Sequence, residues 1–528
     1  MLTATPMATS TQLMPEGGHI QAPAACAGKR RDRSALISAL SNLGIQYNFQ
    51  SIAIALLMMD QEPAAAVSSG APPAPPGSEL PPPSPPPYVA PYPRTADQES
   101  ALKSLVFAGA IVGQLCMGYA GDVWGRRNAM LLTNLLTFVG AAGSALLTWG
   151  EPAELYTVLM VCRFVIGVGV GGKYPLAATM RSEACEDGQS GGGAGGGGDG
   201  DAGAGAAHAA TEVAKGFFWQ TPGALLPYVV ALCVLSGLGH SDDDEMARAT
   251  VSLQFRIVLG LGALPPLCVM ALCCVQPESE AYVEARANAG GADGLSTNPI
   301  AVASRHPEHW RRLVGTGLSW LLYDFVYYGT ALNQPQILGA VLPADGIYAN
   351  CLQNIAVTAM GLPGVVCAIA MLRGLGSKRL QAWGFIAISA VSVAFALTLF
   401  FAHDSAAASF ALFTVLSFVL AWGCNVSTYV LPTEVFPSQL RSSFFGLSAG
   451  MGKVGALLGG AAFTPIADSS AAHGYTYVFL VCAAVALLGL LTTHCFVEPY
   501  RRETLCGRGA RARAAQTPVA PPLLQNAH

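Results

Sequence analysis

The chain is 528 residues long, 52% hydrophobic and only 11% charged, with a formal net charge of −4. Ordinary soluble domains carry about 25% charged residues, so a water-facing globule is excluded and lipid is the implied solvent. The scattered basic residues make no stripe for nucleic acid. The fourteen cysteines fall mostly in apolar stretches without a Cys-x-x-Cys pair, which argues against a disulfide scaffold or a zinc site. No cofactor or metal is expected.

Runs of about 20 apolar residues, the length that crosses a bilayer core, recur twelve times. They fall at roughly 35–59, 101–121, 129–149, 155–181, 212–238 and 252–275, then at 313–340, 348–372, 380–402, 407–431, 441–466 and 474–497. The expected organisation is a disordered cytoplasmic N-terminus (1–34), a six-helix half (35–275), a central cytoplasmic loop (276–312), a second six-helix half (313–497) and a disordered cytoplasmic tail (498–528). Lys29, Arg30, Arg31 and Arg33 precede the first span, and Arg126 and Arg127 follow the second. Arg311 and Arg312 precede the seventh, Arg373, Lys378 and Arg379 follow the eighth, and five arginines follow the last. By the positive-inside rule both termini are expected in the cytoplasm, and the plasma membrane is the expected site. A Pro-rich external loop (62–97) and a Gly-rich cytoplasmic loop (186–210) have no core-forming pattern.

Several polar residues stand where lipid does not tolerate them. In "VCRFVIGVGVGGKYPLAATMRSE" no charge occurs for nine residues before Lys173 or seven after it. A lysine near a bilayer centre costs roughly 2.5–3.5 kcal/mol on insertion scales. On the seventh span Trp320, Asp324 and Tyr328 follow at i, i+4 and i+8, one helical stripe. A carboxylate there is expected to face a protein cavity. Lys453 lies amid small residues in "SAGMGKVGALLGG", which permit close helix approach. Pro175 and Pro432 remove a backbone donor, so a kink is expected at each.

The halves echo one another. "GYAGDVWGRRN" (Gly118 to Asn128) after the second span answers "LRGLGSKRLQ" (Leu372 to Gln381) after the eighth, where Arg373 stands in place of the carboxylate. Six spans repeated is an arrangement of transporters that bind near the midplane. The Gly-x-x-x-Asp-x-x-Gly-Arg-Arg loop resembles the signature of the major facilitator superfamily. "GGKYPLAATMRSE", "GTGLSWLLYDFVYYG" and "NVSTYVLPTEVFPSQLRSSFFGLSAGMGKVGA" resemble its phosphate:proton symporters. The resemblance implies an all-α membrane protein with twelve transmembrane helices in two pseudo-symmetric halves. It also implies a secondary transporter of inorganic phosphate with H+ or Na+ as coupling ion, not an enzyme.

On this resemblance the substrate-binding residues are Tyr174, Gln220, Trp320, Asp324, Tyr328, Asn425 and Lys453. Lys453 is otherwise read as a stem that snorkels to an interface, and the others as interhelical hydrogen bonds, worth under about 1 kcal/mol each. Asp324, Asp122, Arg126, Arg163, Glu183 and Glu434 are assigned to coupling or gating. Three acidic positions of the family are absent: Lys173 replaces the Asp of Gly-Gly-Asp-Tyr-Pro, and Ile45-Gln46-Tyr47-Asn48 replaces Asp-Ala-Tyr-Asp. Lys173 is therefore added to the substrate-binding set, its charge offset by Asp324, by the anion or by deprotonation. Alternatives are an organic phosphate, another organic anion or a sugar as cargo, or a nutrient receptor without flux.

Overall fold

A computed structural model describes residues 24–60, 92–190, 199–239, 244–278, 282–283, 304, 308–341, 346–401, 405–438, 440–470 and 473–497. Most of the Pro-rich loop and of the central loop lies outside the described residues, as do the glycine run at 191–198, residues 1–23 and the tail. Among the described residues helices make up the fold, and they assemble into twelve spans in two halves of six. In the first half these are α1 (Ala24–Met59), α2 (Ala96–Trp124), α3 (Arg126–Leu146), α4 (Pro152–Ser190), α5 with α6 (Asp199–Phe218, Gln220–Leu238), and α7 with α8 (Asp244–Gly260, Leu264–Val275). In the second half they are α9 (Glu308–Leu332), α11 with α12 (Gly346–Ala359, Gly361–Leu375), α13 (Ser377–Phe401), α14 with α15 (Ala406–Ala421, Cys424–Val435), α16 (Arg441–Asp468) and α17 (Gly474–Phe496). A short α10 (Gln334–Val341) follows α9.

Several helices run beyond their expected apolar cores, α5 among them from Asp199. α1 begins at Ala24, before the first span, and α4 continues to Ser190. Pro175 and Pro432 both lie inside α-helices. The tenth span is interrupted at Gly423, whose φ of 67° is open to glycine without steric cost. A Cβ there would stand 2.6 Å from the Gly384 Cα, so this glycine also lets the ninth and tenth spans touch backbone to backbone.

The halves meet tightly at both ends. At the end carrying Arg126 and Arg127 (the basic end), α2 crosses α16 so closely that a Cβ on Gly446 would fall 2.2 Å from the Gln114 carbonyl oxygen. Small residues at such a crossing let backbones approach in the absence of a hydrophobic drive. At the opposite end Ile54, Met58, Tyr228 and Leu235 of the first half form one buried cluster with Cys351 of the second. The space between is sealed from both sides.

Candidate functional site

The sealed space is a chamber at mid-bundle, lined by Gln46, Tyr174, Phe217 and Gln220 of the first half and by Trp320, Asp324, Tyr328, Asn425, Thr428 and Lys453, among others, of the second. The stripe read on the seventh span is real geometry: Trp320, Asp324 and Tyr328 are all buried and all face the chamber. Lys453 is carried to the same place by α16, where glycines at 452 and 455 allow α9 to press against it. Its Nζ donates to the Asp324 Oδ2 and to the Tyr328 hydroxyl, each at 3.0 Å. The ammonium also lies 4.2 Å from the Tyr328 ring centroid and 5.0 Å from that of Tyr174. A cation held against aromatic faces is stabilised by their quadrupoles.

A chain of amides continues from this pair into the first half. Gln46 donates to the Tyr328 hydroxyl at 3.4 Å and to the Gln220 Oε1 at 3.0 Å. Gln220 donates to Asn42 at 2.8 Å, and Asn42 donates in turn to the Tyr429 hydroxyl at 3.4 Å. Sequence reasoning assigned no role to Asn42 and left Gln46 only as a departure from the family pattern. Both stand at i and i+4 on the polar face of α1, the same spacing that revealed the seventh-span stripe. Thr428 and Tyr327 also line the chamber and were not singled out.

The free volume of the chamber is about 10 Å³, room for the centre of roughly one water molecule. An oxyanion therefore enters only as side chains move. A second cavity of about 60 Å³ shares Tyr327 and Asn425 with the chamber and is lined further by Gln50, Thr330 and Gln334. Asn425 thus stands between the two.

Lys173 is placed elsewhere. It is fully buried, has no hydrogen-bond partner among the described residues, and is absent from the lining of the chamber. Asp324 is engaged by Lys453 instead. Arg163, on the same helix, is also fully buried and donates to the Asn48 carbonyl at 2.7 Å, leaving Nε and the other Nη without partners.

The remaining gating candidates gather at the basic end. The Asp122 Oδ1 lies 3.0 Å from the Arg126 Nη1, and the Arg126 Nη2 lies 3.0 Å from the Glu183 Oε1. Asp122 accepts from both the backbone N–H and the hydroxyl of Ser443 across the seam, at 2.7 and 2.6 Å. Arg126 donates to the Ser438 carbonyl at 2.7 Å. Glu434 lies in the last turn of α15, four residues before that carbonyl. The loop Gly118 to Asn128 therefore ties the first half to the tenth and eleventh spans of the second.

Two six-helix halves, closed around a polar chamber and tied at each end, define a solute transporter of the major facilitator fold. The chain belongs to the "Sugar (and other) transporter" family, whose profile matches residues 34–192 and 310–504. It is similar to "Inorganic phosphate transporter PT2" of Toxoplasma gondii, with 34% identity over 88% of this chain and 72% of the relative. The "Repressible high-affinity phosphate permease" of Neurospora crassa is 27% identical, over 78% of each chain. Among solved structures the proton:xylose symporter XylE of E. coli superposes with a TM-score of 0.68 at 17% identity, covering 89% of this chain and 97% of that one. The transporter FucP in its outward conformation gives 0.58 at 14% identity, over 88% and 99%. These two likenesses bear on the fold.

Proposed function

We propose that the protein carries inorganic phosphate across a membrane by alternating access, with a proton moving alongside the anion. The observation that carries this reading is the Lys453–Asp324 pair at 3.0 Å, both side chains buried, inside the chamber. A buried pair is stable as it stands, yet separating the partners leaves an uncompensated charge. An incoming oxyanion competes with Asp324 for the ammonium, and a carboxylate beside an anion is repelled. Protonating Asp324 removes that repulsion and frees Lys453 to hold the anion. Tyr174, Trp320, Tyr328, Gln220 and Asn425 then offer hydroxyl, indole and amide donors to its oxygens. The curated relatives named for phosphate transport support this choice of cargo.

Lys173, next to Tyr174 on α4 but outside the chamber lining, acts in this reading through its field rather than by contact. The Asp122–Arg126–Glu183 cluster latches the basic end, which faces the cytoplasm by the positive-inside rule. Breaking the latch opens the chamber to that side. The plasma membrane is the assigned location.

The test is uptake of labelled phosphate into liposomes under an imposed pH gradient, a sodium gradient, or neither. Accumulation driven by acid on the outside is the expected result. Accumulation driven by sodium alone would replace the proton in this account. No accumulation of labelled phosphate under any gradient, alongside accumulation of a labelled phosphorylated sugar, would overturn the assigned cargo.

A further inference from the structure

A second cluster of donors lies at the basic end, away from the chamber. His208 on α5 is half-buried between two arginines. The Arg31 Nη2 stands 3.0 Å from its Nε2, and the Arg373 Nη2 stands 3.3 Å from its Nδ1. The Arg373 Nε also reaches the Thr211 hydroxyl at 3.4 Å. Arg31 and His208 belong to the first half and Arg373 to the second, so the contact crosses the seam.

Its chemistry is incomplete as it stands. A guanidinium only donates, and a neutral imidazole has one accepting nitrogen and one N–H. One of the two arginine contacts therefore sets donor against donor. A protonated imidazole would accept from neither. Glu212, one turn along α5, is already engaged by Arg181 and Lys215. Among the described residues neither Arg31 nor Arg373 faces a carboxylate. Several cationic groups thus converge on one ring with a single carboxylate near them, and that one is taken.

We propose that Arg31, His208 and Arg373 form an oxyanion site at the seam, taking a phosphate group and holding the basic end closed while it is occupied. A tetrahedral dianion offers an oxygen to each guanidinium and a further one to the imidazole N–H, which resolves the donor conflict. Its charge offsets the two arginines, and charge-assisted bonds of this kind are about twice as strong as neutral ones. Because its anchors sit on opposite halves, the anion acts as a removable tie between them. The site also gives Arg373 a role: it stands where the repeated loop of the first half has its carboxylate, and so provides an anion tie where Asp122 provides a permanent one. This inference goes beyond the cargo reading and does not need it.

The experiment is hydrogen exchange, read by mass spectrometry, on the full chain in nanodiscs of neutral lipid during titration with inorganic phosphate. Phosphate is expected to protect segments 204–212 and 369–376 together. Arg373→Gln is expected to raise the half-saturating phosphate about tenfold or more, the loss of a charged hydrogen bond, and Arg373→Lys by less. The double variant Lys453→Met with Asp324→Leu, which removes the chamber's charge pair as a whole, is expected to leave this response in place, which separates the seam from the chamber. Nanodiscs containing phosphatidic acid, without added phosphate, form the second arm. Protection there, lost in Arg373→Gln, supports the site with a lipid headgroup as source. The proposal is overturned by no protection in either arm, by an unchanged titration in Arg373→Gln, or by loss of the response in the Lys453→Met, Asp324→Leu double variant.

Discussion

Among the described residues two lysines are buried, and their surroundings differ. Lys453 on α16 has a carboxylate, a tyrosine hydroxyl and aromatic faces around it. Lys173 on α4 is as deeply buried and has no hydrogen-bond partner among the described residues. One is a solved electrostatic problem and the other an open one. A paired buried charge is a lasting part of the resting structure. An unpaired one stores free energy that an arriving anion can release.

The largest effect that sharpens this contrast comes from Lys453→Met. It leaves Asp324 buried without its countercharge, and removing one partner of such a pair costs about 3–5 kcal/mol. A fall in thermal midpoint and loss of phosphate uptake are expected. The double variant Lys453→Met with Asp324→Leu should recover most of the stability and none of the uptake, because replacing both partners with apolar groups is often neutral. Equal thermal midpoints for the single and double variants would break the contrast from its paired side.

Lys173→Met should act with the opposite sign. Removing an unsatisfied buried polar group relieves a penalty of about 1–3 kcal/mol, so the midpoint should rise while the half-saturating phosphate for uptake increases. A fall in the midpoint would mean that Lys173 has a partner after all. The smallest effect belongs to the amide chain. Gln46→Leu breaks the link between Tyr328 and Gln220, and interhelical bonds of this type average about 0.6 kcal/mol in a membrane. Stability should barely move, while the half-saturating phosphate should rise a few-fold in the same uptake assay.

The fold was legible because lipid enforces a simple rule on length and polarity. The exceptions to that rule carried the site. Nine helices, or helix pairs, among the described residues are long and apolar enough to cross a membrane. The first, seventh and eleventh spans are not among them, and they bear Asn42 and Gln46, Trp320 and Asp324, and Lys453 respectively. A lining helix is diluted by the polar residues it presents, so it reads poorly as a membrane span and well as a site. Which lysine meets Asp324 was not legible, since both are buried among small residues and only the crossing of α9 with α16 decides. The break at Gly423 was hidden for a related reason. The prolines offered a visible signal, whereas the glycine's role depends on how closely Gly384 approaches it.

The central claim is that phosphate displaces Asp324 from Lys453 as Asp324 takes a proton. It is tested most directly by titrating phosphate into the purified protein by calorimetry, in buffers of different ionisation enthalpy at one pH. Binding to the wild type should draw in more protons than binding to Asp324→Asn, and the difference should approach one proton per phosphate bound to the chamber. Equal proton uptake by the two proteins, both still binding phosphate, would contradict the account.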